Sequence, residues 1–417
     1  MNNVKKISVF RILSDGRKTH VGTLAENKQG IFFAYEREYV NKFNNLSPFK
    51  LSFDTTVQLA DRTTHKGLHG VFADSLPDGW GLLLQDRFFA SQGLSPYQIS
   101  PLQRLCLVGD TGIGALTYEP HIDTVNSLID LYTLGRNAQQ VFAGETTEVL
   151  QELLCLGSSG GARPKAQIYV QNDDFSQCST IAQKNSQAWI VKFTSSHLPF
   201  SHAEGILEAV YLTMAKQADI QPVDWRLLHQ GEFQWLAVKR FDCTEQGRIH
   251  TAMLCGLLDA DFRMPSMDYS GCLKATKILC RSKQAAELQF RRMIFNLFAC
   301  NQDDHTKNWS FLQDEQGNWQ PSNAYDITFA PMRHNQHTMS FQNYGNNPPL
   351  KIIQELAEIA GYSSWQYAKK EIEKILTSIA NFTHIAADFG VEKTTVQEIQ
   401  NKLNQIYKDN SVLCNGM

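Results

Sequence analysis

The sequence predicts an α+β chain in which strands come early and helices late, and three observations carry that prediction. Its 417 residues suit two or three lobes at roughly 150 residues each. Its 42% hydrophobic and 19% charged residues supply enough apolar surface for packed cores and exclude a disordered chain. Its patterning then shifts along the length, from period-two alternation bounded by turn formers to helical spacing. The expected organisation is a β-rich N-terminal subdomain over residues 1–122, a mixed lobe over 123–241 and a helical lobe over 242–417.

The elements follow in order. Ile7-Ser8-Val9-Phe10-Arg11-Ile12 alternates as a strand does. Gly22-Thr23-Leu24 and Ile31-Phe32-Phe33-Ala34-Tyr35 flank the turn formers Asn27 and Gly30. The leader therefore reads mainly as strands and turns, with a turn at Leu76-Pro77-Asp78-Gly79-Trp80-Gly81 and a helix over 82–89. The glycine cluster from Gly109 to Gly114 lacks both the G-x-G-x-x-G order and the Lys-Ser/Thr of a P-loop, so it reads as a bend between strands. Residues 126–156 look helical and 157–166 form a small-residue loop. Strands are expected at 167–170 and 188–193, joined by a long polar hairpin. An amphipathic helix over 203–218 has Leu207, Val210, Tyr211 and Met214 on one face. A strand at 234–241 closes the mixed lobe; helices follow at 282–299 and, three or more of them, across 350–409.

Thirty-nine basic and 42 acidic residues leave a net charge of −3, which excludes nucleic-acid binding through bulk positive charge. Nine scattered cysteines form no C-x-x-C pair and read as reduced thiols of a cytosolic protein. The first 13 residues are too short in apolar length for a secretory signal. No run approaches the ~18 apolar residues of a membrane span. The expectation is a cytoplasmic chain with no membrane partner.

The chemistry concentrates in Asn301-Gln302-Asp303-Asp304-His305-Thr306-Lys307-Asn308, which follows a long helix and precedes the strand-like Trp309-Ser310-Phe311-Leu312, a turn and Tyr325-Asp326. Protein kinases share this layout. An Asp accepts the substrate hydroxyl proton, an Asn five residues on holds a metal ion, and a second metal-binding Asp follows two short strands. Asp303 and Asn308 have that spacing and Asp326 that position; Asp304 is the competing base, only four residues from Asn308. Mg²⁺ needs hard oxygen ligands and keeps several waters, so one Asp and one Asn suffice. Upstream, Lys192 stands in the apolar strand Trp189-Ile190-Val191-Lys192-Phe193, where an unpaired ammonium is costly. Glu208 and Glu204 on the next helix are its candidate partners. Earlier still, Gly157-Ser158-Ser159-Gly160-Gly161-Ala162 can bring backbone N–H groups close to phosphates. This ordered set predicts a bilobed protein-kinase-like fold, with a mixed N-lobe and a helical C-lobe behind the β-rich leader.

These residues resemble the HipA family of serine/threonine kinases, the toxin halves of bacterial toxin–antitoxin pairs. The match rests on Gly160-Gly161-Ala162-Arg163-Pro164-Lys165, Trp189 to Lys192, Glu208, Val238-Lys239-Arg240-Phe241-Asp242, the Asn301 to Asn308 block and Tyr325-Asp326-Ile327. The leader joins it through Leu76 to Gly81 and Val108-Gly109-Asp110. The resemblance implies an ATP- and Mg²⁺-dependent kinase. Asp303 would be the base, Asn308 and Asp326 the metal ligands and Lys192 the phosphate-binding lysine. His305 and Lys307 would hold nucleotide or the transferring phosphoryl group. Ser159, Gly160, Gly161 and Ala162 would lie at the nucleotide, with Lys239 and Phe241 at the adenine hinge. The family commonly has Glu where this chain has Lys239. Ser158 would be the autophosphorylated serine. Implied partners are a helix-turn-helix antitoxin (HipB-like), operator DNA mainly through that antitoxin, and a protein substrate, of which aminoacyl-tRNA synthetases are the example among relatives. The chain lacks His-Arg-Asp before the loop and Asp-Phe-Gly at Asp326, so regulation is expected through the glycine loop or a partner. Two alternatives remain open from the residues: a small-molecule or lipid kinase on a related fold, and a catalytically idle antitoxin-bound co-repressor.

Overall fold

The computed structural model describes residues 4–121, 128–144, 153–154, 156–157, 160–176, 178–194 and 200–413. It divides into two compact units, one formed by residues 1–205, 225–259 and 311–318, the other by 206–224, 260–310 and 319–417.

In the first unit the leader alternates as its sequence requires. Strands β1 (Lys6–Ile12), β2 (Lys18–Asn27), β3 (Gly30–Tyr35), β4 (Gln58–Leu59) and β5 (Leu116–Glu119) form an antiparallel sheet in the order β4-β3-β2-β1-β5. Ile7, Val9, Leu24 and Phe33 face a core shared with Phe72, Leu105 and Tyr118. The leader is more helical than strands and turns: α1 (Arg37–Lys42), α2 (Gly70–Ala73), α3 (Gly79–Ser91) and α4 (Pro101–Val108) cover it. Helix α4 starts on a capping box. Ser100 N donates to Gln103 Oε1 at 2.9 Å and Gln103 N to Ser100 Oγ at 3.4 Å, with Pro101 at the first helical position. The Gly109 to Gly114 run therefore turns a helix into a strand, not one strand into another.

The second sheet of this unit contains β6 (Leu128–Ile129), β7 (Lys165–Gln171), β8 (Cys178–Ser179), β9 (Ser186–Lys192), β10 (Trp225–Gln230) and β11 (Phe233–Lys239), in the order β10-β11-β9-β7-β8-β6. The helix expected over 126–156 is shorter where it is described, as α5 (Leu131–Ala143). The strand expected to reach 241 ends at Lys239. Ala166, Ile168, Val170, Trp189, Val191, Trp235 and Ala237 build one apolar face, packed with Leu134, Ala138 and Val141 of α5 and with Trp80 and Leu84 of α3. The leader thus contributes directly to the core of the mixed lobe. By strand alternation Lys165, Gln167, Ile190, Lys192, Leu236 and Val238 occupy the other face. Strand β12 (His250–Met253) pairs with β13 (Ser310–Gln313), of which Phe311 to Gln313 belong to this unit.

The second unit is mainly helical and contains the short strand β14 (Trp319–Pro321). Helix α6 (Glu204–Gln217) buries the expected stripe of Leu207, Val210, Tyr211 and Met214. Helices α7 (Tyr269–Cys280) and α8 (Lys283–Phe298) are capped by Asp268, accepting from Gly271 N at 2.7 Å, and by Ser282, accepting from Ala285 N at 3.2 Å. Tyr211 Oη donates to Ala299 O at 2.9 Å and ties α6 to the end of α8. The tail forms four helices, α9 (Leu350–Ala360), α10 (Trp365–Ala380), α11 (Phe382–Asp388) and α12 (Lys393–Asp409). Among the described residues no helix is long and apolar enough to cross a membrane, and seven cysteines are free.

Candidate active site

In the first unit the glycine loop runs into β7 through Gly160, Gly161, Ala162 and Pro164. Ser158 and Ser159 lie outside the described residues. Lys192, half-buried at the end of β9, stands in register opposite Lys165 of β7 and Leu236 of β11. Directly opposed residues of neighbouring strands share a face, so both lysines project from the face away from the core. Lys165 is buried and its Nζ donates to Gly160 O. Positive charge is therefore concentrated at the foot of the glycine loop. Sequence reasoning assigned no role to Lys165, although it quoted the segment that contains it. Glu204, one of the two expected partners of Lys192, instead receives the Arg163 guanidinium, through Nε and through Nη2 at 3.2 Å. Glu208 is buried on α6 in the second unit.

Lys239 ends β11 opposite Trp189, and Phe241 follows in a turn; both are half-buried. Between them Arg240 is buried. Its Nε donates to Asp242 Oδ1 at 3.0 Å and its Nη2 to Gly112 O at 3.1 Å, while Asp242 Oδ2 accepts from Gly114 N at 2.6 Å. Burial opposes ionisation of Asp242, but the Arg240 charge and the hydrogen bonds from Arg240 and Gly114 outweigh it and hold the carboxyl below its usual range. The Gly109 to Gly114 cluster is thus a structural partner of this strand end.

In the second unit the loop from Asn301 to Asn308 leaves α8 through Cys300, whose φ is +56°. Asn301 Nδ2 donates to Asn296 Oδ1 at 2.9 Å, and Asn296 Nδ2 to Tyr269 Oη at 3.2 Å. Asp304 is sealed in. Its carboxylate accepts from Tyr269 Oη, from Thr338 N at 2.9 Å and from Met339 N at 3.2 Å, and His337 Nδ1 lies 2.7 Å away. The side chain of Asp303 is 45% exposed and that of Asp304 fully covered. The competing carboxylate is therefore a structural keystone, and the preferred one is accessible.

Asn308 Nδ2 donates to Asp303 O at 2.8 Å, closing the loop across its five-residue span. His305 Nε2 is 4.0 Å from Asp303 Oδ1. Phe262 supports both neighbours, edge-on to His305 at 5.4 Å and beneath Lys307 Nζ at 4.5 Å. Tyr325 Oη donates to Lys307 O at 2.6 Å, which fastens the segment carrying Asp326 to the loop one residue before Asn308. Asp326 itself has φ +55°, a left-handed conformation that costs a non-glycine residue energy and clusters at functional positions. The loop thus brings Asp303, His305, Lys307 and Asn308 together and ties in the Asp326 segment. Phe262 and His337 escaped sequence reasoning, since neither has a fixed spacing from the motif, and Tyr325 was quoted there without a role of its own.

The donor set fits Mg²⁺. With Nδ2 of Asn308 committed to a carbonyl, Oδ1 is the atom it can offer a metal, and Asp326 on the tied segment can offer a carboxylate; both are hard oxygen donors. Among the described residues no group of three His, Cys, Asp or Glu could hold a metal ion, so a closed zinc-type cage is not what these residues build.

Comparison with known proteins gives the family. Residues 15–119 match the HipA N-terminal domain and residues 157–402 the HipA-like C-terminal domain. The chain belongs to the HipA family. Its fold is that of HipA from Shewanella oneidensis MR-1, solved with HipB and its operator DNA, with a TM-score of 0.69 at 16% identity over 96% of each chain. The expected α+β class is therefore the one found. The Helicobacter pylori proinflammatory kinase CtkA gives a TM-score of 0.42 at 12% identity, over 62% of this chain and 92% of that one. A Sinorhizobium fredii (strain NBRC 101917 / NGR234) protein named "Putative kinase Y4dM" is 28% identical over 223 residues, 48% of this chain. The match spans about half the length of that curated relative, 51%.

Proposed function

We propose that this chain is an ATP- and Mg²⁺-dependent serine/threonine protein kinase that acts as a growth-arresting toxin and is neutralised by a helix-turn-helix antitoxin. The observation that carries this reading is the sorting of two adjacent carboxylates, Asp304 buried and committed, Asp303 exposed and five residues before the asparagine that closes the loop. The hydroxyl oxygen of a Ser or Thr attacks the γ-phosphorus while the bond from that phosphorus to the β–γ bridging oxygen breaks. The hydroxyl proton passes to the Asp303 carboxylate and ADP departs. His305 and Lys307 offset charge on the transferring group. Lys192, Lys165 and the loop from Ser159 to Ala162 bind the phosphates, and Lys239 and Phe241 border the adenine. Asn308 and Asp326 hold Mg²⁺, which neutralises charge on the phosphate oxygens.

In this reading residues 1–122 are the leader, 123–241 the N-lobe and 242–417 the C-lobe. Ser158 is the autophosphorylation site, where about −1.5 to −2 added charge repels nucleotide phosphates. The antitoxin is HipB-like, as the partner of the similar Shewanella oneidensis HipA is HipB. With a net charge of −3, contact with operator DNA comes mainly through that partner.

Purified protein given Mg²⁺ and γ-labelled ATP should label itself at Ser158 and label a protein in cell extract, and Asp303→Ala should do neither. Induced wild type should arrest growth and Asp303→Ala should not. Label confined to the small-molecule fraction would replace the protein substrate by a metabolite or lipid. Failure to bind ATP, with Ser158 unphosphorylated by mass spectrometry, would sink the kinase reading; an unchanged phenotype in Asp303→Ala would favour the idle co-repressor.

A further inference from the structure

We infer that Asp78 of the leader is a positioning residue for the nucleotide: its carboxylate holds the glycine loop in its receiving conformation. The inference rests on the nucleotide-binding reading above and assigns the leader a part in it.

Asp78 occupies the N-cap of α3, a place where Asp ordinarily accepts from its own helix's first N–H groups. Here it makes no such bond. Its Oδ1 instead accepts from Gly161 N, 83 residues downstream. The residue is 7% exposed, so an acidic residue has been buried to reach the loop. The next residues complete the grip. Trp80 N donates to Gly161 O at 2.9 Å, so both polar groups of the Gly161 residue are held by the leader. Trp80 Nε1 donates to Lys165 O at 2.9 Å, where the loop enters β7.

The approach is close enough to dictate residue types. Gly79 has φ +42°, and a Cβ there would stand 2.5 Å from Gly161 O and 2.6 Å from Ala162 Cα. A Cβ on Gly160 would stand 3.2 Å from both Asp78 oxygens. Gly161 has φ +106°, open only to glycine. A glycine-rich loop is otherwise the segment with most conformational entropy to lose when a ligand orders it. The leader has ordered it beforehand, so nucleotide meets a formed loop. Asp78 accepts from the N–H of the Gly160–Gly161 peptide, and Lys165 Nζ donates to the C=O of that same peptide. That one peptide is thus held at both of its polar groups by side chains from two different segments.

The test compares Asp78→Ala with Asp78→Asn in the full-length protein. Asn retains an oxygen that can accept from Gly161 N; Ala does not. Asp78→Ala should raise the KM for ATP about tenfold, the scale of one charge-assisted hydrogen bond, with kcat within about twofold. Asp78→Asn should restore most of the affinity. Hydrogen exchange in nucleotide-free protein gives an arm independent of catalysis: amides over 160–165 should exchange faster in Asp78→Ala, with the rest of β7 unchanged. Unchanged exchange over 160–165, a KM for ATP that stays level or falls, or an Asn variant as impaired as Ala would each overturn the inference. If wild type itself binds no ATP, the kinase reading fails, and the exchange arm still decides whether Asp78 holds the loop.

Discussion

The loop over 301–308 and the loop over 160–165 are both candidate ligand-binding segments, and they are secured in opposite ways. The first is anchored inside its own unit by Asn296, Tyr269, His337 and Thr338, all within 36 residues of their partners. The second is anchored by Asp78 and Trp80, which act across 83 and 85 residues. A loop held by its neighbours can be recognised from spacing, because the spacing is the constraint. A loop held from a distance shows its composition in the sequence and conceals what fixes it.

The largest effect should separate two adjacent residues of the locally anchored loop. Asp303→Ala should slow phosphoryl transfer by about 10²- to 10⁴-fold, the usual worth of a general base, with thermal unfolding unchanged. Asp304→Ala should do the reverse. It strands a buried tyrosine hydroxyl, His337 and two backbone N–H groups, and should destabilise the fold by roughly 3–5 kcal/mol, read as a lowered midpoint in thermal unfolding. An Asp304→Ala protein that unfolds normally yet has no kinase activity would reverse the assignment of the two carboxylates.

Legibility followed the same division. Asp303 and Asn308 were readable from a five-residue spacing, and the contact that closes the loop, Asn308 Nδ2 to Asp303 O, spans that interval. Lys192 was readable as the one cation in an apolar strand. Its facing lysine, Lys165, was not, because their pairing depends on the register of β7 against β9 across a long hairpin. Glu204 looked as good a partner for Lys192 as Glu208, until Arg163 of the glycine-loop segment proved to hold it. Helix α4 had a readable start in Ser100-Pro101-x-Gln103. The role of Asp78 could not be read at all, since no local pattern distinguishes an N-cap that serves its own helix from one that serves a loop 83 residues on.

Acid should act on the unit that contains the leader. Burial, with the nearby Arg11 charge, pushes His250 down to about 3, and burial pushes His69 down to about 4, against an ordinary 6.5. Both folded-state values lie below the unfolded one. The neutral imidazoles therefore favour the fold fully above pH 6.5, and stability falls as pH drops from there towards the folded values. At about pH 5 the loss for His250 alone is about 2 kcal/mol. His250→Gln can still donate to Leu46 O, as His250 Nε2 does at 3.1 Å, and should flatten the fall in unfolding midpoint between pH 7 and 5. Equal slopes for the variant and wild type would remove His250 as a source of acid sensitivity.

The smallest effect tests whether the leader's two contacts with the distant loop are separable. Trp80 is buried in the core of the mixed lobe, with its ring 6.2 Å from Phe142. Trp80→Phe keeps an aromatic ring there but removes the bond from Nε1 to Lys165 O, leaving a buried carbonyl without that donor. The expected cost is about 1 kcal/mol, or roughly 3 °C in unfolding midpoint for a unit of this size. Trp80 N still donates to Gly161 O in the variant, and Asp78 still holds Gly161 N, so the KM for ATP should stay within about twofold of wild type. That outcome, beside a tenfold rise for Asp78→Ala, would mean that one leader contact stabilises the lobe while the other sets the loop. A rise in KM as large as that of Asp78→Ala would mean instead that the whole packed face of α3 positions the loop, and the contrast between a locally held and a remotely held segment would then extend to all of α3.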